Sequence, residues 1–188
     1  MNRFPIIPDL TQFPSHFHPL LKNAPVYDSS CSKEARVWFL DRESGLYLKS
    51  APSGTLKTES EMTRYFHEKG LGTEVISYLS DEKDWLLTRA VPGEDCTFPQ
   101  YLEEPRRLCD TLANLLRQLH ETDFSGCPVT DRCGTYLTRS QQNYQAGYCE
   151  LDLFPQEYWK IASPEEAWAL VRENGASLKN DTLLQYSY

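Results

Sequence analysis

The chain has 188 residues, of which 40% are hydrophobic and 24% charged, and a formal net charge of −8. That balance fits one large folded domain or two small lobes and excludes a disordered chain. The acidic charge argues against nucleic acid and anionic membranes as partners and favours a cationic ligand.

The first twenty residues, MNRFPIIPDLTQFPSHFHPL, hold one arginine and no long apolar run, which is not the pattern of a secretory signal. No stretch approaches the roughly 18 apolar residues of a membrane span. The six cysteines form no C-x-x-C pair, so reduced thiols in a cytoplasm are expected. His16 and His18 flank Phe17 in a proline-rich segment that reads as a loop, not a metal site. Residues 1–24 are expected to be an extended lead-in that packs over something.

Three short apolar runs follow, PVYDSS, ARVWFL and GLYLKS, and read as antiparallel strands. The turn DRESG joins the second to the third, with Gly45 free to take the positive φ a hairpin turn often needs. Residues 56–69 read as a helix that stops at Gly70. TEVISYLS and DWLLTRAV give two more strands around the turn SDEKD, and PGEDCTF breaks the pattern. Beyond it, 98–121 reads as one long amphipathic helix with Leu108, Leu112, Leu115, Leu116 and Leu119 at helical spacing. A second helix is expected over about 131–145. SPEEAWALVREN gives a third, with Ser163 as N-cap, Pro164 at the first position, Glu166 closing a capping box and Gly175 at the end.

In GLYLKS, Leu46 and Leu48 share one face of the strand, Tyr47 and Lys49 the other. Lys49 admits two readings: an edge-strand lysine with a buried stem and a solvated ammonium, or the partner of a carboxylate. In the helix, a step of about 100° per residue places Glu59 with Leu56, Met62 and Phe66, the face that must pack inward. Glu61 points away and is expected to close a capping box with Thr58. Glu59 either reaches solvent at the helix end or pairs with Lys49, since an unpaired inward charge is costly. A strand lysine held by a helix glutamate is the arrangement that phosphate-transferring kinases place over the α- and β-phosphates of a nucleotide.

These stretches, taken in order, resemble the aminoglycoside 3′-phosphotransferases, bacterial resistance enzymes with a kinase-like fold. VYDSSCSKEARVWFL resembles their serine-containing nucleotide loop, and GLYLK with Glu59 their lysine–glutamate pair. WLLTRAVPGEDCT resembles their fifth strand and hinge, and LLRQLHETDFSGCP their long helix and following turn. The resemblance covers roughly residues 24–184. It implies an α+β, protein-kinase-like fold. A five-stranded antiparallel sheet with one helix would form a nucleotide-binding lobe over 1–92. A partial helical lobe would occupy 93–188.

The resemblance also implies ATP as cofactor and an aminoglycoside as partner. Lys49 would contact nucleotide phosphates, with Glu59 orienting it and Ser30 and Ser32 in the phosphate-covering loop. The Arg89 carbonyl and Val91 N–H would meet the adenine. Glu150, Asp152 and Glu157 would belong to an acidic wall for the cationic sugar, although solvated surface charges explain these acids equally well. The family transfers phosphate with a His-Gly-Asp, four-residue, Asn loop and a later Asp that holds Mg²⁺. No His-Gly-Asp occurs in the 188 residues. The expectation is therefore a C-terminally truncated or frameshifted copy without its catalytic base and metal ligands. Such a chain would be inactive alone, and poorly soluble because the leucine helix lacks partners. The alternative is a catalytically empty nucleotide- or drug-binding module.

Overall fold

The computed structural model describes residues 3–93, 96–151, 160–175 and 177. The chain divides into two compact units, the first running to Pro128 and the second beginning at Val129. The boundary expected after residue 92 falls inside the first unit, just past its sheet.

The first unit is built on a six-stranded sheet. Its strands are β1 (Phe4–Ile6), β2 (Val26–Asp28), β3 (Arg36–Leu40), β4 (Leu46–Pro52), β5 (Val75–Ser80) and β6 (Lys83–Arg89). They lie in the order β1-β2-β3-β4-β6-β5, and every pair is antiparallel. The expected fold class holds with one strand more than expected. The lead-in is not simply extended: Phe4–Ile6 pairs with Val26–Asp28, and a short helix α1 (His18–Lys22) follows two single turns. Phe13, Phe17 and Leu21 from this segment are buried with Val26, Leu40, Leu46, Leu48, Trp85 and Leu87. The alternation along β4 thus sends Leu46 and Leu48 into the core under the N-terminal segment. The other face carries α2 (Lys57–Glu68), with Ala51, Leu56, Val75 and Leu86 packed together. Lys49 belongs to this second face.

Gly45 supplies the β3–β4 turn with φ of 86°. Its carbonyl accepts the Ala90 N–H at 2.9 Å, and a Cβ there would meet Phe39 Cε2 at 2.7 Å. Strained backbone and contact act together, so Gly45→Ala is expected to cost about 2 kcal/mol in chemical denaturation.

The long helix expected over 98–121 is two helices, α3 (Pro99–Leu102) and α4 (Pro105–Glu121). Pro105 has no N–H to continue α3 and starts α4 at its first turn. Along α4, Leu115 and Leu116 are 54% and 52% exposed and Leu112 is also exposed. The turn beyond it returns to α2, where the Tyr65 hydroxyl donates to the Asp123 carbonyl at 3.1 Å and Cys127 packs on Met62.

The second unit pairs α5 (Arg132–Gln145) with α6 (Pro164–Gly175). Asp131 caps α5 by accepting the Gly134 N–H. Ser163 Oγ accepts the Glu166 N–H at 3.2 Å, while Glu166 reaches back to the Ala162 N–H at 2.8 Å, one residue beyond the expected box. Tyr144 and Trp168 stack at 5.7 Å between ring centroids. Gly175 closes α6 against Leu137, whose Cδ2 a Cβ at that position would strike. Among the described residues no helix is long and apolar enough to cross a membrane.

Candidate functional site

Lys49 lies in the middle of β4, opposite Val37 of β3 and Leu86 of β6. Two strands therefore fix its backbone from both sides. Glu59 is the third residue of α2, in the first turn, where a carboxylate also meets the positive end of the helix. Lys49 Nζ donates to Glu59 Oε2 at 2.7 Å and to Oε1 at 3.0 Å. Of the two readings the sequence left open, the pair is the one that forms. Its side chains remain 31% and 27% exposed, so the pair is only partly buried. A pair with that exposure contributes about 1 kcal/mol or less to stability. What it supplies is a cation held in one place.

The β2–β3 loop begins one strand away from Lys49. The Ser29 N–H donates to the carbonyl of Val37, the residue opposite Lys49, at 2.8 Å. Ser30 closes the base of the loop: its hydroxyl accepts the Val37 N–H at 3.0 Å, and its own N–H donates to Asp28 Oδ1 at 2.9 Å. Hydrogen bonds from Ser30 hold the Asp28 carboxyl below the ordinary carboxylate range, with Arg36 adding a smaller effect. Ser32 sits exposed farther along the loop. Serines 30 and 32 thus have different tasks, one tying the loop shut and one presented to solvent.

At the far end of β6, Arg89 is held on several sides. Its N–H donates to the Glu74 carbonyl at 3.0 Å, its Nε to Glu74 Oε2 at 2.7 Å, and its carbonyl accepts the Thr73 hydroxyl. The Arg89 hydrogen bond is the main reason the Glu74 carboxyl titrates below its usual range. A carbonyl oxygen has two lone pairs, so one remains for another donor. Val91, two residues on, is 69% exposed.

Glu150 is exposed and belongs to the second unit; Asp152 and Glu157 lie outside the described residues. Among the described residues no group of histidine, cysteine, aspartate or glutamate is arranged to hold a metal ion.

Sequence reasoning missed Asp84, which it counted as part of the SDEKD turn. Asp84 is fully buried on β6. Its Oδ1 accepts the Gly54 N–H at 2.9 Å and the Ser80 hydroxyl at 2.6 Å, and its Oδ2 accepts the Leu56 N–H at 2.8 Å. Leu56 is the N-cap of α2, which has no side-chain cap of its own. The capping box expected between Thr58 and Glu61 is absent: Glu61 instead faces Lys57 at 3.9 Å, one turn back. The signal that could have revealed Asp84 is an acid opening an apolar strand, beside a helix whose start has no Ser, Thr, Asp or Asn as its own cap.

The phosphotransferase enzyme family matches this chain over residues 32–183. The chain belongs to that family. It is 45% identical over 181 residues to a probable aminoglycoside 3′-phosphotransferase of Lactococcus lactis, covering 96% of this chain and 68% of that protein. An aminoglycoside 3′-phosphotransferase of Streptomyces fradiae is 28% identical over 121 residues, 60% of this chain and 45% of the other. Among solved structures, the aminoglycoside-3′-phosphotransferase of type VIII superposes with a TM-score of 0.66 at 24% identity. That match covers 85% of this chain and 64% of the type VIII chain. The Streptomyces rimosus aminoglycoside phosphotransferase APH(3″)-Id, solved with ADP and streptomycin, gives 0.65 at 21% identity over 90% and 63%. The structural likenesses establish the kinase-like phosphotransferase fold. The chain spans about two thirds or less of the length of each of these relatives.

Proposed function

We propose that these residues form the nucleotide-holding part of an ATP-dependent aminoglycoside 3′-O-phosphotransferase, an activity that confers antibiotic resistance. In that reaction a sugar hydroxyl attacks the γ-phosphorus of ATP in line, the bond from γ-phosphorus to the β–γ bridging oxygen breaks, and ADP leaves. The observation that carries the reading is the Lys49–Glu59 pair, an ammonium gripped by both carboxylate oxygens in a pair that is only partly buried. Lys49 would neutralise the α- and β-phosphates, Glu59 would keep its ammonium from swinging away, and the loop carrying Ser30 and Ser32 would lie over them. The free lone pair of the Arg89 carbonyl and the Val91 N–H would meet the adenine edge. Glu150, Asp152 and Glu157 would attract the ammonium groups of the aminoglycoside.

Mg²⁺ serves this reaction in kinases generally, but the residues described here do not assemble ligands for it. No His-Gly-Asp occurs in the sequence to receive the hydroxyl proton. We therefore assign nucleotide binding to these 188 residues and expect no turnover from them by themselves. An ADP-release assay with kanamycin tests the assignment. No drug-dependent ADP release is expected from wild type. Drug-dependent release that Lys49→Ala leaves unchanged would overturn both the expected inactivity and the role given to Lys49.

A further inference from the structure

We infer that Asp84 is a positioning residue for the Lys49–Glu59 pair: its carboxylate fixes the connection that sets the helix glutamate at bonding distance from the strand lysine. The inference rests on the reading of that pair as the phosphate-holding pair.

Lys49 comes from β4, and Glu59 comes ten residues later from the first turn of α2. Their separation is set by what lies between. Pro52, Ser53, Gly54 and Thr55 are all exposed, and Gly54 has φ of 81° with nothing within 4 Å of a Cβ position. No side-chain packing fixes those residues. Three things do: a turn in which the Thr55 N–H and hydroxyl both donate to the Pro52 carbonyl; Leu56, buried with Ala51, Val75 and Leu86; and the Asp84 carboxylate, which accepts the N–H groups of Gly54 and Leu56 and is the one that comes from outside the segment. Asp84 is itself placed opposite Ala51 of β4, two residues beyond Lys49. The Ser80 hydroxyl, from the end of β5, holds the carboxylate from the other side. One buried group therefore ties β4, the end of β5 and the start of α2 to β6. Every donor it engages lies within one turn of the helix start or on the strand hairpin beneath it. Gly54 and Leu56 also have no acceptor in their own segment for these N–H groups, so the helix entry depends on a residue about thirty positions later.

The test reads the pair directly. Lys49 is labelled with a limiting amine-reactive ester, its rate is followed by peptide mass spectrometry, and exposed Lys22 serves as internal reference. ATP affinity is measured on the same proteins. Glu59→Gln is expected to raise Lys49 labelling about threefold, the scale of an ion pair with this exposure. Asp84→Asn is expected to match that rise, with Lys22 unchanged, and to weaken ATP binding by a similar factor. Asp84→Asn that folds and labels at the wild-type rate would overturn the inference. So would Glu59→Gln with unchanged labelling, since no pair would then exist to be positioned. If Asp84→Asn does not fold, Ser80→Ala decides: a rise of about twofold supports the inference and an unchanged rate overturns it. If Lys49→Ala binds ATP as wild type does, the nucleotide reading fails, and the labelling rates still decide whether Asp84 positions the pair.

Discussion

Lys49→Ala is expected to weaken ATP binding by at least about tenfold, the scale of one lost charge-assisted contact, while the thermal midpoint shifts by no more than about 2 °C. The two expectations come from the same geometry. Because the Lys49–Glu59 pair is about one-third exposed, water screens it and its removal costs the fold little. A triphosphate brought against that partly exposed pair would displace the screening water and meet a cation whose direction is already fixed. Isothermal titration calorimetry with ATP gives the affinity, and differential scanning calorimetry gives the midpoint. Equal affinities, or a midpoint that collapses with the affinity, would remove the phosphate role from Lys49.

Asp84→Ala is expected to be the most damaging single change in the first unit, costing about 3–4 kcal/mol in urea denaturation. The substitution leaves the Gly54 and Leu56 N–H groups and the Ser80 hydroxyl without their acceptor, and opens a space where a fully buried side chain stood. The same group predicts a pH dependence. Burial alone would raise the Asp84 pKa, but hydrogen bonds from Ser80, Gly54, Leu56 and Tyr78 outweigh it and hold the carboxyl below its ordinary 3.8. A carboxyl with a folded pKa below its unfolded value stabilises the fold fully above the unfolded pKa. That stabilisation is lost as pH falls through the folded pKa. Wild type should therefore lose stability below about pH 4, and Asp84→Ala should lose less over the same interval. Urea midpoints between pH 6 and pH 3 measure the difference; parallel curves for the two proteins would contradict it.

Much of the first unit was legible because its signals are local. The alternation Leu46, Tyr47, Leu48, Lys49 assigns faces without knowledge of any partner strand, and the observed register keeps those faces. Glu59 was found in the same way, from its angular position against Leu56 and Met62, both of which are buried. Phe66 is the exception on that face, since Tyr65 is the aromatic that goes inside. Signals that depend on distant partners were not legible. Phe4–Ile6 is three residues long with a proline in its centre, and becomes a strand only because Val26–Asp28 offers its edge. Asp84 looks like a turn residue until the Gly54 and Leu56 N–H groups, about thirty residues away in sequence, are found pointing at it. The break at Pro105 is masked in the sequence by the leucine spacing that runs on through α4. Arg89 was placed at the hinge, but its pairing with Glu74 and Thr73 needed the β5–β6 register.

The central claim is that the Lys49 ammonium, held by Glu59, faces the phosphates of a nucleotide. The most direct measurement is an NMR titration that follows the side-chain Cε and Nζ resonances of Lys49, assigned by their loss in Lys49→Ala. ATP should shift the Lys49 resonances saturably, adenosine should leave them in place, and Lys22 should respond to neither. ATP that binds without moving the Lys49 resonances, or adenosine that moves them as far as ATP does, would contradict the claim.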